Sequence, residues 1–230
     1  MQLSERLKAV AGLVKPCEVI ADVGCDHGYL PIYLVQAGIV GRAIAMDVNV
    51  GPLKSAKANI AAHHCDDKIE TRLSDGVMAL KADEVDGVVI AGMGGNLIIK
   101  ILAEGKDVLA SVKELVLQPQ SEITEVRKFL QANGYAIVTE NMICEDDKYY
   151  PMMKVVHGEM KLTREIDFIY GPCLLKDRNP VLKHFLKKQS KTLEKVIKQI
   201  SEAGSDASYT RIQEIKQEMC LNKMARDEYE

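Results

Sequence analysis

Short apolar segments alternate with amphipathic segments over residues 18–133 of this chain. The apolar segments are rich in β-branched residues, and most are followed by a segment with helical period. This alternation is typical of βαβ units, in which parallel strands form one sheet with helices on both faces. The predicted strands are 18–23, 42–46, 68–73, 85–91 and 113–118, and the predicted helices are 29–37, 49–62, 95–103 and 121–133.

Two further extended segments follow the alternating part. Residues 135–144 and 149–158 are separated by the polar residues 145–148. A short polar turn between two extended runs indicates an antiparallel pair, which we expect at the edge of the sheet. The sequence therefore predicts an α/β domain over residues 1–159.

The pattern changes completely from residue 160 onward. Asn179 and Pro180 form a helix-start signal, because asparagine caps a helix and proline suits its first position. Apolar residues then recur with the spacing of a coiled-coil seam that has one polar member. The seam is Leu182, Leu186, Gln189, Leu193, Val196 and Ile200, and a second stripe after a break at 203–205 is Tyr209, Ile212, Ile215, Met219 and Asn222. We predict an antiparallel helical hairpin over residues 160–230.

Charge is concentrated in one part of the chain. The formal net charge is −3, but residues 160–200 hold ten Lys and Arg against four Asp and Glu. Such a basic stretch is either a solvated helix face or a surface for phosphate groups. The six cysteines have no regular spacing, which suggests a reduced, cytoplasmic protein. We find no signal peptide and no apolar run of the ~20 residues that a membrane helix needs, so we expect a soluble chain.

The first predicted strand ends in a glycine loop, within the sequence VIADVGCDHGYL at residues 19–30. A nicotinamide dinucleotide would require G-x-G-x-x-G, whereas Asp26 and Tyr29 occupy the second and third glycine positions. A metal ion could use Cys25, Asp26 and His27, but no further ligand pair has suitable spacing. S-adenosylmethionine has no pyrophosphate, and acidic residues suit its ammonium group. The loop favours this third ligand, while the other two stay open.

Acidic residues also follow the next two predicted strands. Asp47 could accept the hydroxyl groups of a ribose, and Asp75 in Ser74-Asp75-Gly76 could accept an adenine amino group. The fourth strand ends in AGMGGN at 91–96, without the N/D-P-P-Y motif of many enzymes that methylate exocyclic amines. The fifth ends in LQPQ at 117–120, whose amides could contact a base. These strand ends together favour a methyltransferase that uses S-adenosylmethionine.

Several of these segments resemble the bacterial TrmK family of tRNA (adenine-N1)-methyltransferases, which modify adenine 22 in the D-arm. The resemblance rests on LSERLKAVAGLV, DVGCDHGYLP, AGMGG, LQPQ and YYPMM. It implies a Rossmann-like class I methyltransferase domain, a C-terminal α-helical coiled-coil hairpin and tRNA as substrate. It also gives the basic stretch a purpose, which is to hold tRNA phosphates.

The candidate site residues fall into three groups, and no metal site is expected. Cofactor binding is assigned to Asp22, Gly24, Cys25, Asp26, His27, Gly28, Asp47, Val48, Asp75, Gly76, Gly92, Met93, Gly94 and Gly95. Catalysis is assigned to Asp26 and Tyr29, and tRNA binding to Gln118, Gln120, Arg164, Lys183, Lys187, Lys188 and Lys191, with Lys161, Lys195 and Lys198 as further candidates. The alternatives are a methyltransferase for another RNA or a small molecule, or a non-catalytic binding protein. The sequence leaves monomer and homodimer open.

Overall fold

A computed structural model of the chain describes residues 3–203 and 206–230, with side chains left undescribed at 203–209. The chain divides into two compact units, Met1–Met160 and Lys161–Glu230. The boundary lies one residue beyond the end of the domain predicted from the sequence.

The first unit contains seven strands and six helices in the residues that the structure describes. In chain order they are α1 (Glu5–Ala11), β1 (Cys17–Val23), α2 (Tyr29–Gln36), β2 (Val40–Asp47), α3 (Val50–Ala62), β3 (Ile69–Leu73), β4 (Gly87–Met93), α4 (Gly95–Glu104), α5 (Lys106–Leu109), β5 (Glu114–Pro119), α6 (Ile123–Ala132), β6 (Tyr135–Glu145) and β7 (Lys148–His157). Every strand and helix predicted for residues 18–158 is present. The short helices α1 and α5 were not predicted as elements.

The strands form one mixed sheet in the order β3-β2-β1-β4-β5-β7-β6. The first five are parallel, and their side chains are mostly buried because helices cover both faces. The order reverses between β1 and β4, so a crevice opens at the carboxyl ends of these strands. The fold therefore brings the segments that follow β1, β2, β3 and β4 to the same edge of the sheet.

The last two strands form the predicted antiparallel pair. Strand β7 pairs with β5 and β6 lies at the edge of the sheet. They are joined at Asp146 and Asp147, both of which have positive φ values. Two such residues in succession form the turn type that matches the twist of a hairpin, and aspartate tolerates this conformation.

The second unit is helical in the residues that the structure describes. It contains α7 (Glu165–Tyr170), α8 (Pro172–Lys176), α9 (Pro180–Ala203) and α10 (Asp206–Asp227). The predicted start of α9 is confirmed, because Asn179 Oδ1 accepts hydrogen bonds from the backbone N–H groups of Val181 and Leu182. Residues 204 and 205 of the predicted break lie outside the described residues. The side chain of Tyr209 in the predicted second stripe is likewise not described.

Helices α9 and α10 contact each other along part of the predicted seam. Leu182, Leu186 and Leu193 are buried on α9, and Ile215 and Asn222 on α10. The Asn222 amide donates to the Leu186 carbonyl at 3.0 Å and to Gln189 Oε1 at 2.9 Å, while the Tyr229 hydroxyl donates to the Asn179 carbonyl. The later residue, Tyr229, pairs with the earlier one, Asn179, so the two segments are antiparallel. None of the described helices is both long and apolar enough to cross a membrane.

Candidate active site

Two adjoining cavities lie at the carboxyl ends of the parallel strands. Cavity A has a volume of about 200 Å³ and is lined by α1, the loop after β1 and the end of β4. Cavity B has a volume of about 360 Å³ and is lined by the ends of β1, β2, β3 and β4. Gly24, Asp26, Ala91 and Gly92 line both, so the two cavities are parts of one crevice.

The loop after β1 is shaped by residues with positive φ, at Gly24, Asp26 and Gly28. Gly24 has a φ of 74°, a left-handed conformation that favours glycine, and a Cβ at this position would displace the methyl group of Met93. The loop is held by hydrogen bonds from the Gly24 and Cys25 N–H groups to the Met46 carbonyl, and Gly28 caps α2.

The sequence-predicted cofactor residues divide between these cavities. Cavity A is lined by Asp22, Gly24, Cys25, Asp26, His27 and Gly92, and cavity B by Gly24, Asp26, Asp47, Val48, Asp75, Gly76, Gly92 and Met93. Gly28, Gly94 and Gly95 line neither cavity. Cavity B also contains residues that the sequence analysis did not select, including Asn49, Ser74 and Leu97.

Gly94 and Gly95 were expected to approach the cofactor, but they begin α4 instead. Gly95 is buried, and a Cβ on it would lie 2.5 Å from the Ser121 carbonyl oxygen. Its N–H donates to the same oxygen at 3.1 Å. The glycine at this position allows α4 to pack against the segment after β5.

The expectation that Gln118 contacts a base at the rim is wrong. Its side chain is fully buried, and its Oε1 accepts the Gly92 N–H at 3.1 Å. The register of β4 against β5 shifts at Gly92, where the Gln118 side chain supplies the acceptor for this N–H. Gln120, by contrast, is exposed and lines cavity A.

Asp22 is the buried carboxylate of the site. It is 5% exposed, and burial raises its pKa to about 7, with a further increase from the Asp47 carboxylate and an opposing effect of Arg6. Desolvation disfavours the charged form of an acid, so burial favours the protonated form of the Asp22 carboxyl. A cation in cavity A would reverse this and favour the ionised form.

The raised pKa of Asp22 predicts a pH-dependent stability. The folded chain retains this proton up to about pH 7, whereas the unfolded chain loses it near 3.8, so the free energy of unfolding falls as pH rises between these values. Asp22→Asn removes this dependence. We expect the Tm of Asp22→Asn minus the Tm of wild type, both measured without ligand, to increase as the pH is raised from about 5 to about 8. A Tm difference that stays constant over this range would contradict the assignment.

Asp26 and Tyr29, the predicted catalytic residues, both line cavity A and are exposed. An Asp26 carboxylate oxygen lies 3.7 Å from His27 Nε2, and the His27 ring stacks on the Tyr29 ring with 5.4 Å between centroids. The three side chains thus form a polar and aromatic rim. The structure places them together at the mouth of the crevice.

Cys25 contributes to cavity A as a neutral thiol. Burial, followed by the charge of Asp22, raises the pKa of this thiol well above its ordinary value. Metal ligation requires a thiolate, which this environment opposes. Among the residues that the structure describes, no group of three or more His, Cys, Asp or Glu side chains could hold a metal ion.

Arg6 of α1 is a site residue that the sequence analysis missed. It lines cavity A opposite the glycine loop, and its Nη1 donates to Gln118 Oε1 at 3.0 Å. The N-terminal segment MQLSERLKAVAGLV is amphipathic, which is a weak sequence signal for a helix. Only the tertiary packing of α1 places the Arg6 side chain at the crevice.

The second unit presents the predicted lysines on the surface of α9. Lys183, Lys187, Lys188, Lys191, Lys195 and Lys198 are all exposed. Lys183 and Lys187 line a groove of about 400 Å³ together with Lys223 and Arg226 of α10, which the sequence analysis did not select. The buried Arg226 Nε has no hydrogen-bond partner among the described residues. Asp227 and Glu230 line the same groove, so its charge is mixed, with three lysines and one arginine against two carboxylates.

Arg164 occupies a different environment from these lysines. Its guanidinium donates to both carboxylate oxygens of Asp167 and to Glu228, and these bonds raise its pKa. A phosphate would have to compete with two carboxylates for the same donors. The contacts of Arg164 therefore favour a structural role within the second unit over the predicted tRNA contact.

Comparison with known proteins identifies the family. A model of the TrmK family, described as tRNA (adenine(22)-N(1))-methyltransferase, matches residues 20–224. The tRNA (adenine(22)-N(1))-methyltransferase of Bacillus subtilis strain 168 is 34% identical over 236 residues, which cover 99% of this chain and 98% of that protein. The chain belongs to the TrmK family. The resemblance seen in the sequence motifs is thereby confirmed.

Solved structures of TrmK relatives share the fold. The Streptococcus pneumoniae protein Sp1610 in complex with S-adenosyl-L-methionine has a TM-score of 0.87 and 37% identity, covering 98% of this chain and 100% of that one. M. capricolum TrmK in complex with S-adenosyl-homocysteine has a TM-score of 0.84 and 28% identity, covering 99% of each chain. The predicted Rossmann-like methyltransferase fold is confirmed, while the coiled-coil hairpin stays a prediction.

Proposed function

We propose that this TrmK chain transfers a methyl group from S-adenosylmethionine to N1 of adenine 22 in tRNA, with the crevice of cavities A and B as its active site. The observation that carries the proposal is the series of carboxylates at the ends of β1, β2 and β3. Asp22 lines cavity A, and Asp47 and Asp75 line the adjoining cavity B. A dinucleotide pyrophosphate would be repelled by these charges, whereas a cationic nucleoside fits them.

The side chains of cavity B suit an adenosine. Asp47 has one carboxylate oxygen bonded to the Asn49 N–H at 2.8 Å, which orients the group at the end of β2. Its other oxygen suits ribose hydroxyl groups. Val48 and Leu97 are large apolar side chains that are 59% and 43% exposed, and an adenine ring would cover apolar surface of this kind. Asp75 would accept the adenine amino group.

Cavity A then receives the methionyl part of the cofactor and the target base. Asp22 holds the ammonium group, and binding of this cation lowers the raised pKa of its carboxyl. S-adenosylmethionine, when bound, supplies an electrophilic methyl group. Adenine N1 has an unshared electron pair at neutral pH, so no residue of this chain has to remove a proton from it. The demands on the protein are alignment, exclusion of water and tolerance of positive charge on the base.

Asp26 and Tyr29 can meet the last two demands at the rim. The Asp26 carboxylate would stabilise the charge that moves onto the adenine ring. Tyr29, already stacked on His27, offers an aromatic face to an adenine that has left its helix. Gln120 is the exposed amide that could contact the same base.

The exposed lysines of α9 would bind the phosphate backbone of the tRNA. Lys183, Lys187, Lys191 and Lys195 are spaced four residues apart and so lie on one face of the helix. A protein with a net charge of −3 can bind RNA when its positive charges are concentrated in this way. We further propose that α9 and α10 form the coiled-coil hairpin, in which the Gln189–Asn222 hydrogen bond fixes the register.

A methyl-transfer assay tests this function. A tRNA transcript with adenine at position 22 is incubated with labelled S-adenosylmethionine, beside a transcript that differs only by guanine at that position. We expect label to enter the first transcript and not the second. Equal labelling of both would mean that another nucleotide is modified, and transfer only to small molecules would favour the alternative substrate class.

A further inference from the structure

Gln120 is the first residue after β5, and its backbone is fixed to the neighbouring strand. Its N–H donates to the Met93 carbonyl at 2.8 Å, directly after the pairing of Met93 with Pro119. Strand β4 lies between β1 and β5, so the segments after β1 and β5 lie on either side of the end of β4. The fold therefore sets the position of Gln120 at the mouth of the crevice.

The side-chain amide of Gln120 is available to a ligand. Gln120 is exposed and lines cavity A, and its Nε2 lies 3.8 Å from the position that a Cβ on Gly92 would occupy. Among the residues that the structure describes, none forms a hydrogen bond with this amide. Gln118, by contrast, has its amide occupied by Arg6, Gly92 and the Pro119 carbonyl. Gln120 thus offers hydrogen-bond donors and an acceptor to the cavity.

The loop after β1 contributes aromatic rings to the same cavity. Tyr29 and His27 both line cavity A, and their rings stack with 5.4 Å between centroids. Aromatic side chains stack on the faces of an unpaired base, whereas amides bind its edges. A base that stacks on this side of the cavity would therefore present an edge to Gln120.

Adenine and guanine differ at the base edge that carries N7. On adenine this edge has the N6 amino donor beside the N7 acceptor, whereas on guanine O6 and N7 are both acceptors. A glutamine amide can bind adenine twice, because its Nε2 donates to N7 while its Oε1 accepts from N6. With guanine the same arrangement would bring Oε1 against O6, which is a second acceptor. An amide at this edge therefore selects adenine.

We propose that Gln120 binds N6 and N7 of the target adenine and makes the crevice selective for this base. The inference rests on the proposed function, because it takes adenine 22 as the substrate, and it names the residue that distinguishes this base. Contacts at N6 and N7 leave N1, on the other side of the amino group, open for methylation. The positive charge that moves onto the ring is shared by N6, so its bond to Oε1 becomes stronger as the reaction proceeds.

The test uses two tRNA transcripts that differ only at position 22. One carries adenine and the other carries 7-deazaadenine, in which a C–H group replaces N7 while N1 and N6 are kept. The kcat/KM for methyl transfer is measured for wild type and Gln120→Ala. We expect wild type to prefer adenine by about 2- to 12-fold, which corresponds to one hydrogen bond, and Gln120→Ala to show no preference. On the adenine transcript this variant should lose about 5- to 150-fold.

Gln120→Glu gives a result that a structural role of the residue would not produce. A carboxylate still accepts from N6, but it places a second acceptor against N7. We therefore expect this variant to prefer 7-deazaadenine, which reverses the order seen with wild type. The same orders of preference should appear in the affinities for the two transcripts, measured with S-adenosylhomocysteine so that no methyl group is transferred.

Gln36→Ala is the matched control. Gln36 is an exposed glutamine at the end of α2 that donates to the His63 carbonyl and lines neither cavity, so its loss should leave the rates and the preference unchanged.

Two results would overturn the proposal. One is a Gln120→Ala variant that keeps the wild-type preference for adenine over 7-deazaadenine, whether or not both rates fall. The other is a wild type that does not distinguish the two transcripts. Transfer by wild type to neither transcript, or to another nucleotide, is instead a failure of the proposed function, and it is seen before any variant is measured.

Discussion

Replacing Asp47 with alanine is expected to weaken the binding of S-adenosylmethionine by about 100-fold or more. Charge-assisted hydrogen bonds contribute about 1.5–3 kcal/mol each, and the proposed ribose contact has two of them. The carboxylate is already oriented by the Asn49 N–H, so little freedom has to be lost on binding. Calorimetry with S-adenosylmethionine or S-adenosylhomocysteine measures the effect directly.

Two further variants make this result specific. Asp47→Asn keeps the shape and one acceptor oxygen, so we expect a smaller loss than with alanine. Asp67→Ala removes an exposed carboxylate just before β3, at the opposite edge of the sheet, and should change nothing. An unchanged affinity for Asp47→Ala would remove the ribose contact from the proposed site.

Replacing Lys187, Lys188 and Lys191 together with glutamine is expected to weaken tRNA binding by at least about tenfold at physiological salt. Each lysine that contacts a phosphate releases counterions on binding. Loss of three contacts should therefore reduce the slope of log affinity against log salt concentration by about 2 to 3. Binding of labelled tRNA over a series of salt concentrations gives both numbers, and the affinity for the cofactor should stay the same.

The matched control removes the same charge elsewhere. Lys15, Lys68 and Lys81 are exposed and precede β1, β3 and β4, at the edge of the sheet opposite the crevice. Their joint replacement with glutamine should leave the salt slope close to that of wild type. If both triple variants lose affinity equally, the effect is one of net charge. If neither does, the basic face of α9 has no part in tRNA binding.

The sequence predicted the sheet of the first unit well because its strands are continuous apolar segments separated by helical ones. Parallel strands with acidic residues at their ends leave few arrangements, and Asp22, Asp47 and Asp75 do line one crevice. The family followed from motifs such as DVGCDHGYLP and is confirmed. Local sequence signals were sufficient for these features.

Features that depend on contacts distant in the chain were not predictable in this way. Gln118 is buried and accepts the Gly92 N–H of the neighbouring strand, a contact that residue types alone do not specify. Arg6 reaches cavity A only because α1 is attached to β6. Arg164 belongs to the basic stretch of the sequence, but its guanidinium donates to Asp167 and Glu228. For Gln118 and Arg6 the role of the side chain is set by residues far away in sequence, and for Arg164 by Asp167 three residues on together with the distant Glu228.

The most direct test of the central claim is nucleoside analysis of the methylated tRNA. The full chain is incubated with S-adenosylmethionine and an unmodified tRNA transcript, and the product is digested and separated by chromatography with mass detection. The account predicts 1-methyladenosine, with at most one methyl group per tRNA, and a primer-extension stop at position 22. Methylation at the exocyclic N6, or at any nucleotide other than adenine 22, would contradict it.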